Sequence, residues 1–144
     1  MTEPDYACAV LRNAYGDFLL QLRPASAAIA ASQLTCFGGR READETAAAC
    51  LTRELHEELG WQVAAIPPPC VYLRDDQHLI ASFHTLLIPA DVTLHTEPGF
   101  KAVYAPPASL PGLPLSPWHR LVLTALLTAR ALPITVFVDA ARDQ

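Results

Sequence analysis

The chain has 144 residues, of which 51% are hydrophobic and 17% are charged, and its formal net charge at pH 7 is −5. This composition excludes a disordered chain, and the length suits a single domain covering residues 1–144. No stretch is long and apolar enough for a membrane span, and the acidic balance without a basic run argues against binding to a nucleic-acid polymer.

The first part of the chain predicts a β-hairpin followed by an extended segment. Strand candidates Tyr6–Leu11 and Phe18–Leu22 flank the turn residues 13–17. A short extended piece, Leu34–Phe37, runs into Gly38–Gly39. Glycines there permit backbone angles that bring carbonyls and amides close to a ligand.

The next segment predicts an amphipathic helix. Thr46 or Asp44 can cap its N-terminus, and Gly60 stands where a left-handed C-cap is favoured. At 100° per residue, one apolar stripe faces a core; it contains Ala48, Leu51, Leu55 and Leu59.

A second stripe on this helix is acidic and consists of Glu54, Glu57 and Glu58. Carboxylates spaced three and four residues apart repel one another, and they do so more when partly shielded from water. Arg53 can relieve one of these charges but not all of them. We therefore expect a cation between the carboxylates, and hard divalent ions such as Mg²⁺ prefer oxygen ligands. A solvated acidic helix face is the alternative interpretation.

The second half of the chain predicts further strands and one late helix. After a rigid connector of three prolines, the strand candidates are Cys70–Arg74, Leu79–Ile88, Phe100–Tyr104 and Ile134–Val138. A helix capped by Ser116 runs to about Ala131. The helices do not alternate with the strands, which disfavours a Rossmann-type parallel sheet.

Four cysteines and the N-terminal segment bear on the compartment. Cys8, Cys36, Cys50 and Cys70 lack C-x-x-C spacing, and we interpret them as reduced, mostly buried thiols. The start of the chain has an acidic residue where a signal peptide has basic ones. We therefore expect a cytoplasmic protein.

The segment from Gly39 to Trp61 carries a specific motif. It matches Gly-x5-Glu-x7-Arg-Glu-U-x-Glu-Glu-x-Gly-U, with U a bulky apolar residue, at every specified position. This segment resembles the Nudix box of the MutT-like Nudix hydrolases. From average residue frequencies, chance would produce such a match on the order of 10⁻⁸ to 10⁻⁷. The resemblance implies an α+β fold, an α/β/α sandwich with a mixed sheet between helices.

The resemblance also implies an activity, namely metal-dependent hydrolysis of a pyrophosphate linkage in a nucleoside diphosphate linked to another moiety. The substrate would be a small phosphorylated nucleotide, with nucleoside triphosphates and nucleotide sugars favoured. The cofactor would be Mg²⁺, with Mn²⁺ as the alternative. A homodimer is expected on the same basis. A catalytically weak nucleotide-binding or regulatory module stays open as an alternative, and an isoprenoid-diphosphate isomerase is disfavoured because no cysteine is marked as activated.

Roles for individual residues follow from the same resemblance. Glu57 and Glu58 would be metal ligands, the Gly38 carbonyl a further ligand, and Glu54 a ligand or the base that orients water. Arg53 would complete the catalytic set by pairing with Glu57 or Glu45.

Other residues would have structural or substrate-binding roles. Gly39, Glu45 and Gly60 would be structural. Arg23, Arg40 and Glu97 are candidates for substrate binding, and Glu97 is also a candidate base. For each of these three residues, a solvent-exposed or salt-bridged side chain is the competing interpretation.

Overall fold

This computed structural model describes residues 2–139, which contain eight strands and two α-helices. The strands are β1 Tyr6–Arg12, β2 Phe18–Leu22, β3 Leu34–Thr35, β4 Phe37–Arg40, β5 Val71–Arg74, β6 Leu79–Leu87, β7 Lys101–Ala105 and β8 Ile134–Phe137. The helices are α1 Ala47–Leu59 and α2 Pro117–Thr128, with a 3-10 helix at Pro107–Gly112. None of the helices described here is both long and apolar enough to cross a membrane.

The strands form one mixed sheet in the order β3-β2-β1-β6-β5-β8, with β4 also paired to β1 and β7 also paired to β2. The β1–β6 and β5–β8 pairs are parallel and the other strand pairs are antiparallel. The predicted hairpin is confirmed, because β1 and β2 pair across residues 13–17. The prediction against an all-parallel sheet is confirmed as well.

A hydrophobic core lies on each face of the sheet, because side chains alternate along the strands. Leu11 of β1 and Leu19 of β2 pack with Leu51 and Leu55 of α1. Residues one position away, such as Val10, pack in the core that contains the buried residues of α2. The predicted sandwich of a mixed sheet between helices is therefore confirmed.

Local signals define α1 at both ends. Thr46 is the N-cap, and its side-chain oxygen accepts a hydrogen bond from the Ala49 N–H at 3.1 Å. Gly60 is the C-cap with φ of 64°, and its N–H donates to the His56 carbonyl at 2.9 Å. The apolar stripe predicted for α1 is wrong at Ala48, which is exposed.

Ala47 and Cys50, rather than Ala48, are buried on the face of α1 that packs on β4 and β1. Several strand and helix ends also differ from those predicted. The predicted extended piece Leu34–Phe37 is divided between β3 and β4, and Gly38 and Gly39 belong to β4. Helix α2 ends at Thr128, earlier than predicted.

Candidate active site

The guanidinium of Arg53 joins the loop before α1 to the acidic face of the helix. Arg53 Nε lies 2.7 Å from Glu45 Oε2, and Arg53 Nη2 lies 2.9 Å from Glu45 Oε1. Arg53 Nη1 lies 3.0 Å from Glu54 Oε1 and 3.4 Å from Glu57 Oε2. Of the two partners that the sequence predicts for Arg53, Glu45 therefore makes the closer, bidentate contact.

Both oxygens of the Glu45 carboxylate accept hydrogen bonds. Hydrogen bonds from Arg53 and from the backbone N–H of Glu42 lower the pKa of Glu45 to about 2. Glu45 in turn raises the pKa of the Arg53 guanidinium. Both groups are charged at neutral pH, and the pair holds the turn between β4 and α1 in place.

Glu54 packs directly against the backbone of β4. A Cβ atom placed on Gly39 would lie 2.5 Å from both Cδ and Oε1 of Glu54. Any side chain at position 39 would therefore occupy the space that the Glu54 carboxylate takes. Burial raises the pKa of Glu54, while the hydrogen bond from Arg53 opposes that rise.

Glu58 is the most buried of the acidic residues on α1, with 7% of its surface exposed. Its Oε1 accepts a hydrogen bond from the Gly38 N–H at 2.8 Å, and its Oε2 accepts one from Gln21 Nε2 at 3.3 Å. Burial raises the pKa of Glu58 to about 8, and the negative charges of Glu54 and Glu97 contribute to the rise. Both hydrogen-bond donors are neutral, so they orient this carboxylate without neutralising it.

Gly38 is required where β4 pairs with β1, opposite Cys8. Its φ is 139°, and a Cβ atom there would lie 2.2 Å from the Ala7 carbonyl oxygen and 2.7 Å from the Cys8 Cα. Both contacts are with backbone, which cannot move aside as a side chain can. The glycine therefore allows β4 to approach β1 and to present its N–H to Glu58.

The loop between β6 and β7 brings an additional carboxylate towards α1. The His95 N–H donates to the Leu59 carbonyl at 2.8 Å and so attaches the loop to the C-terminal end of the helix. Glu97 follows in the same loop and is exposed. Its negative charge is a minor contribution to the raised pKa of both Glu54 and Glu58, after burial as the main cause.

The two candidate arginines occupy different surroundings. Arg23 donates from Nε to the Ile29 carbonyl at 2.8 Å and from Nη1 to Gln21 Oε1 at 3.2 Å, and its guanidinium lies 5.4 Å from the centre of the Phe100 ring. Arg40 instead donates to the Tyr6 hydroxyl at 3.1 Å, and its guanidinium lies over the Tyr6 ring. Arg23 is therefore connected to the acidic site through Gln21, whereas the Arg40 side chain turns towards β1.

We refer to Glu54, Glu57 and Glu58 as the glutamate cluster. In residues 2–139, no group of three or more His, Cys, Asp and Glu side chains is arranged to hold a metal ion. Arg53 Nη1 lies between Glu54 and Glu57 and partly offsets their charge. Glu57 is 53% exposed, and its contacts with Arg53 are long, at 3.4 and 3.5 Å. Its carboxylate can therefore turn away from Arg53.

The donor set fits a divalent cation. The glutamate cluster offers only hard oxygen ligands, which suit Mg²⁺ and Mn²⁺. The Glu58 carboxylate is buried beside other negative charges, and its hydrogen-bond partners are neutral. A partly buried excess of negative charge of this kind is stabilised by a bound cation.

Gln21 is the site residue that the sequence analysis missed. It lies in β2 with 1% of its surface exposed and bridges Glu58 and Arg23. A signal was present in the sequence, since Gln21 is the one polar residue of the strand FLLQL. It lies two residues after Leu19, so the same face of the strand carries both.

Comparisons with known proteins agree with this description. The sequence profile of the NUDIX domain family matches residues 2–126 of the chain. The MutT protein from Methanosarcina mazei Go1 is similar in structure, with a TM-score of 0.71 and 21% identity, over 88% of this chain and 95% of that one. The E. coli ORF135 protein has a TM-score of 0.67 and 28% identity, over 91% of this chain and 93% of that one.

A further similar structure is the NUDIX domain of Shewanella oneidensis NrtR, which was solved in complex with ADP ribose. It has a TM-score of 0.63 and 18% identity, over 86% of each chain. The curated proteins contain no significant match to this sequence.

Proposed function

The chain belongs to the NUDIX domain family and is a pyrophosphohydrolase, and from this premise we propose that it uses Mg²⁺ to hydrolyse nucleoside triphosphates or nucleotide sugars. The family acts on nucleoside diphosphate derivatives and generally uses divalent metal ions. Mn²⁺ is the alternative ion. The observation that carries the proposal is the buried Glu58 carboxylate, which neutral donors hold in place beside Glu54.

The glutamate cluster would supply the metal ligands that pyrophosphate hydrolysis uses. Glu57 and Glu58 would hold the ion, and the Gly38 carbonyl would be a further ligand. When bound, a divalent ion neutralises phosphate oxygens and helps to ionise the attacking water. Glu54, which packs against Gly39, would hold the ion or orient the water.

A second candidate for the base is Glu97. It follows His95, whose N–H attaches the β6–β7 loop to the C-terminal end of α1, and its charge contributes to the raised pKa of Glu54 and Glu58. We keep Glu54 and Glu97 as alternative bases. Loss of the base lowers the rate constant for turnover more than it lowers metal affinity, whereas loss of a ligand lowers both.

Arg23 is the candidate for a contact with substrate phosphate. Its Nε and Nη1 atoms are engaged by the Ile29 carbonyl and by Gln21. A guanidinium has five N–H donors, so others are available to an anion. The guanidinium lies over the Phe100 ring, 5.4 Å from its centre. The Arg40 side chain has its hydrogen bond with Tyr6 and is the weaker candidate.

The proposal is tested by measuring the products released from a panel of phosphorylated compounds with and without Mg²⁺. The panel contains nucleoside triphosphates, nucleotide sugars, ADP-ribose, NADH and dinucleoside polyphosphates. Strong turnover of a triphosphate or a nucleotide sugar, only with metal, is the expected result. Binding of these compounds without any turnover would instead support the regulatory module, and preferred hydrolysis of another class would overturn the substrate assignment.

A further inference from the structure

Gln21 is a buried polar side chain in the middle of the site. Burying an amide costs free energy unless it is hydrogen-bonded. Nε2 of Gln21 donates to Glu58 Oε2 at 3.3 Å, and its Oε1 accepts from Arg23 Nη1 at 3.2 Å. Both polar atoms of the amide are therefore hydrogen-bonded, Nε2 to a carboxyl group and Oε1 to a guanidinium.

The chemistry of these two neighbours fixes the orientation of the amide. A guanidinium can only donate hydrogen bonds, so Oε1 of Gln21 must face Arg23. Nε2 then faces Glu58, whose ionised, metal-binding form can only accept hydrogen bonds. Leucine in this position would satisfy neither neighbour, and glutamate would place a second negative charge against Glu58. Glutamine meets both requirements in one side chain.

Two strands each donate one hydrogen bond to the Glu58 carboxylate. The Gly38 N–H of β4 donates to Oε1 at 2.8 Å, while Gln21 of β2 donates to Oε2 at 3.3 Å. One donor on each oxygen fixes the plane of the carboxylate. Each carboxylate oxygen can accept more than one bond, so capacity for a cation is kept.

We propose that Gln21 is a positioning residue, which orients the Glu58 carboxylate for metal binding and links it to the Arg23 guanidinium. The inference rests on the proposed function, in which Glu58 is a metal ligand and Arg23 contacts substrate phosphate. The metal and the phosphate contact then lie at the two ends of one hydrogen-bonded chain. Partners that orient ligating carboxylates in this way contribute to metal affinity although they do not touch the metal.

The test measures Mn²⁺ binding without substrate, by electron paramagnetic resonance, in the wild type and in Gln21→Leu. We expect the dissociation constant for Mn²⁺ to rise about 10- to 100-fold, and kcat to fall with it. Gln21→Asn, which keeps the amide but shortens its reach, serves as a second variant and should also weaken binding. The matched control is Leu20→Val, because Leu20 is a buried neighbour on β2 whose side chain lies in the core on the opposite face of the sheet.

A double-mutant cycle separates positioning from general destabilisation. In the Glu58→Gln background, Gln21→Leu should cause no further loss of Mn²⁺ affinity, because the carboxylate that it orients is already gone. Unchanged Mn²⁺ binding in Gln21→Leu, or an equal loss in Leu20→Val, would overturn the inference while leaving the proposed function intact. A wild type that binds no Mn²⁺ and hydrolyses nothing would overturn the proposed function, and the inference with it.

Discussion

Replacement of Gly39 by alanine tests whether the position of Glu54 matters for turnover. A Cβ atom at position 39 would lie 2.5 Å from Glu54 Cδ and Oε1, whereas ordinary contacts begin at 3.4 Å. The Glu54 carboxylate must therefore move by about 1 Å, the difference between these two distances. Its hydrogen bond with Arg53 Nη1, now 3.0 Å, would also be disturbed. The main chain at Gly39 needs no such movement, since its φ lies outside the left-handed region.

We expect Gly39→Ala to lower kcat/KM by about 100-fold, because misplacing a catalytic group by about 1 Å has an effect of that size. Stability should change little, because the far end of a flexible side chain can absorb the clash. The assay is metal-dependent hydrolysis of the best substrate from the panel, with thermal unfolding measured on the same preparation.

Gly38→Ala is the contrasting variant. Its Cβ atom would meet the backbone of Ala7 and Cys8, and its φ of 139° disfavours any side chain. We expect a large loss of stability at position 38 and a loss of activity without unfolding at position 39. Near-normal turnover in Gly39→Ala would refute the argument that the Glu54 carboxylate must lie where the structure has it.

Three further predictions concern charged and titratable groups. Arg53→Lys should lower turnover about 10-fold or more, because lysine cannot make the bidentate contact with Glu45; steady-state kinetics checks this, and unchanged turnover would contradict it. In metal-free protein the pKa of Glu58 is raised to about 8, so the folded state keeps a proton that the unfolded state loses above about pH 4.5. The free energy of unfolding should therefore fall as pH rises from about 4.5 to 8. Denaturant unfolding across this pH range measures the effect, and Glu58→Gln should remove this part of the pH dependence. Burial lowers the pKa of His119 from 6.5 to about 4, so stability should be lost as pH falls through that window, by up to about 3 kcal/mol. His119→Asn should remove this loss because it keeps an acceptor for the Cys36 N–H, and an unchanged acid profile would exclude His119 as its cause.

The helix and the acidic residues of the site were predictable because their signals are local. Thr46 and Gly60 define the ends of α1 through their own side chain and backbone, and the spacing of the glutamates places them on one helical face. The hairpin was predictable for the same reason, since residues 13–17 carry their own turn chemistry.

Features that depend on contacts between distant segments were not predictable. The parallel pairing of β1 with β6 joins residues 75 positions apart, such as Tyr6 and Ala81, and no short pattern specifies it. The burial of Cys50 instead of Ala48 depends on how α1 rotates against β4, which periodicity alone does not fix. Gln21 was missed because its partner Glu58 is 37 residues away in sequence.

The most direct test of the central claim compares Glu57→Gln with Glu42→Gln on the same substrate and with the same metal. Both acids contact the Arg53 guanidinium, but Glu42 lies 3.7 Å from Nη1 and is outside the glutamate cluster. We predict that Glu57→Gln folds normally but that its rate of hydrolysis falls by more than about 100-fold. Removing a residue that only orients a metal ligand lowers activity by about 10- to 100-fold. Glu42→Gln should hydrolyse the substrate at close to the wild-type rate. Near-wild-type hydrolysis by Glu57→Gln would contradict the assignment of the glutamate cluster as the catalytic site.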